Sequence, residues 1–383
     1  MGTLRVERSR LHDWATRPVG AAWRAFDLQL TIYALLLASI GLAMAYSNSG
    51  EDAVQGGSTF LRGLMWAGIA IVVFTAAAIF DYKWLKTFAW PIYFTNLGLL
   101  IVTLAIGKGV GGASRWVSLL GVQFQFSEIA KILMIVVLAN YLAQRHGKLD
   151  SLPSILGAVL LIAPAGALVL FQPDLGTSLV FGAILAGMLF MSGASLKWLG
   201  LMAAGVVAAV PIVWTNVLRD YQKQRLLSFL DPTADPQGSG YQLLQSQTAV
   251  ASGGLLGKGL VSGSSASADL LPVQSTDFVF AILAQELGFV GGLVVFALFV
   301  ALLWRILVSA WRSRDPFGML LASGLASMIL FQLVVNVGMV LGIMPITGIP
   351  LPFVTHGGAS LVSLAIGLGL LQSVNVHQTR AEW

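Results

Sequence analysis

PVQSTDFVFAILAQELGFVGG (residues 272–292) runs almost without interruption into VVFALFVALLW (294–304). A stretch of that length and apolarity exceeds the about 20 residues that a helix needs to cross a bilayer core. Yet Asp277 stands at its start and Glu286 well inside it, and charge in hydrocarbon is costly. The stretch therefore raises two questions: what fold surrounds such a helix, and what its two carboxylates do.

The composition answers the first. Of 383 residues, 57% are hydrophobic and 10% charged, with a mean hydropathy of +0.82, whereas soluble domains are about 25% charged. Ten apolar segments of spanning length lie near 28–46, 61–80, 87–107, 127–143, 153–171, 176–192, 198–217, 277–304, 317–341 and 355–375. They predict an all-α integral membrane protein, one bundle of ten transmembrane helices. The first run follows a basic stretch but is longer than a secretory-signal core of about 7–15 residues, so it reads as a retained span. There is no cysteine, hence no disulfide.

Lysine and arginine set the expected orientation. With the N-terminus inside, fourteen of them fall on the cytoplasmic side, seven on the other, and Lys131 within a span. Both termini are therefore expected in the cytoplasm, and the net charge of +5 reads as membrane orientation, not nucleic-acid binding. The expected divisions are a cytoplasmic segment 1–26, a membrane domain 27–376 and a cytoplasmic tail 377–383. One long extracytoplasmic loop, 218–276, separates helices 7 and 8. Within it YQLLQSQTAV (241–250) has a pattern suited to lying along an interface. GLLGKG (254–259) imitates a phosphate-binding loop, but Ser252 and Gly259 stand where that motif requires Gly and Ser or Thr.

Ionisable groups inside spans mark either a site or a buried pair. Glu128 and Lys131, three apart, share a helix face and either neutralise each other or serve a site. Asp277 and Glu286, nine apart, point to opposite sides of a helix, so they are not one acid–base pair. Asp277 shares its face with Ala281, Ala284 and Gly288, a small-residue stripe open to another helix or a lipid chain; the competing reading is a helix cap. Glu286 suits buried pairing or helix registration. Asp174, in FQPDLGTS (171–178), suits a cap on the sixth span. Pro345, Pro350 and Pro352 break the chain before the last span, an irregularity tolerated at membrane depth only where protein or a wet cavity surrounds it.

Taken together, RW (115–116), FSEIAK (126–131), QPDLGTS (172–178), GYQLLQSQTAVASGGLLGKG (240–259), LPVQSTDFVFAILAQELGFVG (271–291) and NVGMVLGIMPITGIPLPFVTHGG (336–358) resemble the SEDS family of shape, elongation, division and sporulation proteins. GIPLPFVTHGG and QPDLGT look more like RodA, the elongation member, than FtsW, the division member. The resemblance implies a peptidoglycan glycosyltransferase that polymerises lipid II, an undecaprenyl-linked substrate, outside the bacterial cytoplasmic membrane. It implies partners too: a class B penicillin-binding transpeptidase and other elongation-complex membrane proteins. The family's acidic TDF residue matches Asp277, the candidate base; its SE..K motif matches Glu128 and Lys131. With Arg115, Arg62 and His356 these form the candidate substrate-binding set, the basic groups facing pyrophosphate. A divalent cation, Mg2+ or Mn2+, is a candidate cofactor, although no metal site with countable ligands is legible. Departures from the family pattern include Phe126, Gln123 and Val273. A lipid II flippase and an FtsW-like division polymerase are the alternatives, and glycan synthesis in detergent separates enzyme from flippase.

Overall fold

The computed structural model describes residues 25–49, 58–107, 115–119, 122–145, 151–235, 238–260, 276–355 and 357–378. Each of the ten expected segments falls on a helix: α1 Leu28–Ser49, α2 Thr59–Ile79, α4 Ala89–Ile106, α5 Phe126–Ala143, α6 Leu152–Phe171, α7 Leu175–Met191, α8 Leu196–Asn216, α11 Val279–Arg312, α12 Pro316–Val340 and α13 Gly358–Gln378. Among the described residues nine of these are long and apolar enough to cross a membrane, and α7 is shorter, at 17 residues. A short α3, Lys83–Thr87, precedes α4.

Two features go beyond the expected helices. Between α4 and α5 two short strands pair antiparallel, β1 Val117–Leu119 with β2 Val122–Phe124, Val117 opposite Phe124. The long loop contains two helices, α9 Asp220–Leu230 and α10 Ser239–Gly253. The YQLLQSQTAV stretch does not lie free along an interface. Its face of Gly240, Leu243, Ser246, Ala249 and Gly253 is buried against α11 and α12, and Ser246 Oγ donates to the Val340 carbonyl at 3.1 Å.

α5, α12 and α13 form the centre, since most of their residues are buried, polar ones such as Gln372 and Asn375 among them; α8, by contrast, is apolar all round yet buries no residue. Polar ties hold one end of the bundle. Arg305 Nε and Nη2 both donate to Asp27 Oδ2, at 2.9 and 2.6 Å. Gln372 brackets the backbone of Asp27, donating to its carbonyl at 2.7 Å and accepting from its N–H at 2.9 Å. Lys86 pairs with Asp315 at 2.5 Å, and Tyr82 donates to the same carboxylate. Burial and that negative charge hold the Tyr82 phenol far above its ordinary pKa.

α11 is broken at Gly288, which adopts φ 67° and ψ −167°. The loop after α10 replaces the helical bonds lost there. Lys258 N and Gly259 N donate to the carbonyls of Gln285 and Glu286, both at 3.0 Å, and Phe289 N and Val290 N donate to Gly254 and Leu255 at 2.9 and 3.1 Å. The glycines are obligatory at this junction: a methyl on Gly288 would lie 2.3 Å from Gly257 N, and one on Gly257 2.1 Å from the Glu286 carbonyl. GLLGKG is thus a backbone clasp, and the amides of Gly254, Gly257, Lys258 and Gly259 are already spoken for.

Candidate functional site

At the other end from Asp27, Asp277 sits half-buried in a short 3-10 turn, Thr276–Phe278, that leads into α11. The cap position of α11 is Phe278, so Asp277 is not that cap. Two observations fix its place. Asn336 on α12, fully buried, donates its Nδ2 both to the Asp277 carbonyl at 2.9 Å and to the Ile349 carbonyl at 2.7 Å. One amide thus ties the turn bearing the carboxylate to the proline-rich segment 345–352. At Gly348 (φ 74°), a methyl group would lie 3.4 Å from Asp277 Oδ2 and 3.5 Å from Arg225 Nη1. A carboxylate and a guanidinium therefore converge on one bare stretch of backbone, where glycine's missing side chain leaves room.

Arg225 belongs to a chain of contacts that reaches Arg115. Its guanidinium lies 5.9 Å from the centre of the Tyr221 ring, one turn earlier on α9. Tyr221 Oη donates to the Pro173 carbonyl at 2.7 Å and accepts from Arg115 Nη2 at 3.1 Å. Arg115 also donates to the carbonyls of Pro173 and Gln172. Its planar fork, suited to several acceptors at once, is occupied by protein and ties β1 to the QPD turn and α9. Asp174 caps α7, accepting from Thr177 N at 3.1 Å, from Thr177 Oγ1 at 2.9 Å and from Gln125 Nε2 at 3.1 Å.

Glu128 and Lys131 meet on α5 at 2.8 Å and are both buried. Arg62 lies exposed in the first turns of α2, with no hydrogen bond to the other candidates among the described residues. His356 falls outside the described residues. Among those described, no group of three His, Asp or Glu side chains converges as a metal site would.

Glu286 is buried, and Ser47 Oγ donates to its Oε1. That bond also fixes its depth. Ser47 is twenty residues beyond Asp27 along the unbroken α1, so the two cross-links between α1 and α11 stand about 30 Å apart at 1.5 Å per residue. This equals the hydrocarbon thickness. In a membrane whose one boundary lies at the Asp27–Arg305 link, Glu286 would stand at the opposite boundary and Asp277 beyond it. The small-residue stripe receives another helix, α10, one of its two expected occupants. Ala281 and Ala284 are buried, and α10 with the clasp covers them, so the stripe receives this chain's own loop and is not an open groove.

The site residues missing from the sequence reading are Arg225, Tyr221 and Asn336. Arg225 reads in sequence as a loop charge, although its four-residue spacing from Tyr221 would place both on one face of a helix. Asn336 was legible by the rule applied to the acids, as a polar group within an apolar span.

Fold and site together define a multi-pass helical membrane protein with a carboxylate and a guanidinium converging at one end. A family model described as "Cell cycle protein", covering FtsW, RodA and SpoVE, matches residues 27–380. The chain is 37% identical over 358 residues to peptidoglycan glycosyltransferase MrdB of Escherichia coli K12, a match covering 93% of this chain and 95% of that protein. A solved chain from a peptidoglycan synthase complex superposes with a TM-score of 0.78 at 32% identity, covering 94% of this chain and all of that one. The rod shape determining protein RodA of Thermus thermophilus does so with a TM-score of 0.70 at 28% identity, covering 94% and 99%. The chain belongs to the SEDS family, as a RodA-like member.

Proposed function

We infer that this chain is a peptidoglycan glycosyltransferase that polymerises lipid II into glycan strands at the outer face of the bacterial cytoplasmic membrane, in cell-wall elongation. The names of its relatives support the activity. The observation that supports this site is the convergence of Asp277 and Arg225 at Gly348. In this reading all ten long helices cross the membrane, both termini are cytoplasmic and α9 and α10 lie outside. A class B penicillin-binding transpeptidase and other elongation proteins are the proposed partners; likeness to a chain of a synthase complex supports an assembly of that kind.

The chemistry is displacement at an anomeric carbon. A sugar hydroxyl attacks C1 of the lipid-linked sugar, the C1–O bond to pyrophosphate breaks, and the electron pair leaves with the phosphate oxygen. The hydroxyl proton passes to the Asp277 carboxylate, acting as general base. Its position beyond the hydrocarbon boundary matches the height of a lipid's pyrophosphate. The departing negative charge falls to Arg225, whose guanidinium donates to no protein acceptor among the described residues, with Arg115 behind it and Arg62, Lys131 and His356 as further candidates. Mg2+ or Mn2+, if used, would be held by Asp277 and would supply positive charge against the leaving pyrophosphate. The test is polymerisation of purified lipid II in detergent by wild type and Asp277→Asn, with and without chelator. Wild-type rates in the variant would refute the assignment.

A further inference from the structure

The clasp presents an unexplained surface. Its tip, Leu255 and Leu256, is 72% and 81% exposed, and Lys258 beside it is exposed as well. Two adjacent leucines held out by a tight loop that is hydrogen-bonded to α11 on both sides of its break are not a core that failed to form. The clasp grips α11 at Phe289 and Val290, which are themselves exposed, as is Leu293 one turn further along. The leucines therefore continue an apolar strip that runs up the span.

The height of this strip follows from the α1–α11 cross-links. Gly288 is two residues from Glu286, at the hydrocarbon boundary, so the clasp meets the span where acyl chains give way to headgroups. Irregular backbone is tolerated against lipid only when its polar groups are paired. Here the amides of Gly257, Lys258 and Gly259 and the carbonyls of Gly254 and Leu255 all have partners. Apolar side chains with a neighbouring lysine are the composition that settles at a bilayer interface, leucine in the acyl region and ammonium among phosphates.

We propose that Leu255 and Leu256 insert into the bilayer interface and anchor the loop bearing α9 and α10, so that Arg225 and Asp277 are held at headgroup height. The occupant is the lipid surface, not a protein, and the proposal is independent of which reaction the site performs.

The chain contains no cysteine, so single-cysteine labelling needs no background removal. Leu256→Cys, Gln224→Cys on the exposed side of α9 and Val300→Cys on the span are labelled with an environment-sensitive fluorophore. Each is reconstituted in vesicles of phosphatidylethanolamine and phosphatidylglycerol. The label at position 256 is expected to shift to the blue, to be quenched by nitroxide lipids whose spin label lies just beneath the headgroups, and to be shielded from iodide. The label at 224 should show the reverse, and that at 300 quenching by deeper nitroxides. Iodide quenching at 256 equal to that at 224 overturns the proposal. So does shielding from iodide without nitroxide quenching, the signature of a second copy covering the loop. If Leu256→Cys fails to fold, Leu255→Cys provides the same readings.

Discussion

Replacing Asp277 by Asn keeps the side chain's shape and removes the base. Loss of general-base catalysis is expected to lower kcat for lipid II polymerisation by about 10²-fold or more, with the thermal unfolding midpoint unchanged. Arg225→Ala tests the phosphate role separately. Removing one charge-assisted hydrogen bond of about 1.5 kcal/mol raises KM for lipid II roughly tenfold and leaves less effect on kcat. Asn336→Leu removes the donor shared by the Asp277 and Ile349 carbonyls. Leaving a buried acceptor unsatisfied costs about 1–3 kcal/mol, readable as a lower unfolding temperature in detergent, and turnover should fall because the carboxylate loses its tether. At this scale the carboxylate was legible in the sequence because charge within apolar sequence is conspicuous. Arg225 was not, because an arginine in a polar loop looks like any solvated charge until α9 turns it toward Asp277.

At the scale of elements, the spans were legible and their interruptions were not. Hydropathy over about 20 residues reports helices that must pair their own backbone in lipid, and all ten segments coincide with helices. The break at Gly288 left no such trace, because its replacement hydrogen bonds come from Gly254 to Gly259, some thirty residues earlier in the chain. Periodicity applied across 277–288 therefore found a small-residue stripe without seeing what fills it. Gly288→Ala tests this junction. The added methyl would meet Gly257 N at 2.3 Å and the Leu255 carbonyl at 2.6 Å, at a positive φ that costs a further 1 kcal/mol or so, about the penalty for a non-glycine residue there. A lower unfolding temperature is expected, together with faster proteolysis between α10 and α11, since the four clasp hydrogen bonds break together.

For the whole molecule, the two cross-links between α1 and α11 work as a ruler: one end is set by Asp27 and Arg305, the other by Ser47 and Glu286, and the distance between them is that of a bilayer core. A bilayer set on that ruler puts Asp27, Arg305 and Glu286 at its boundaries, where a membrane protein tolerates charge, while Glu128 and Lys131 are buried as a pair. The Asp27–Arg305 end is open to measurement. Asp27 is buried, while the Arg305 side chain keeps 21% of its exposure, so removing one partner is expected to cost about 3 kcal/mol, the low end for breaking a buried pair. Asp27→Leu leaves a charged guanidinium without its carboxylate, and Arg305→Met leaves a carboxylate without its guanidinium. The double variant has neither stranded charge and should be more stable than the less stable single variant. Unfolding temperatures of the four proteins in one detergent measure the coupling between the sites. Strict additivity would mean that the two side chains contribute independently and that α1 and α11 owe their register at this end to packing alone.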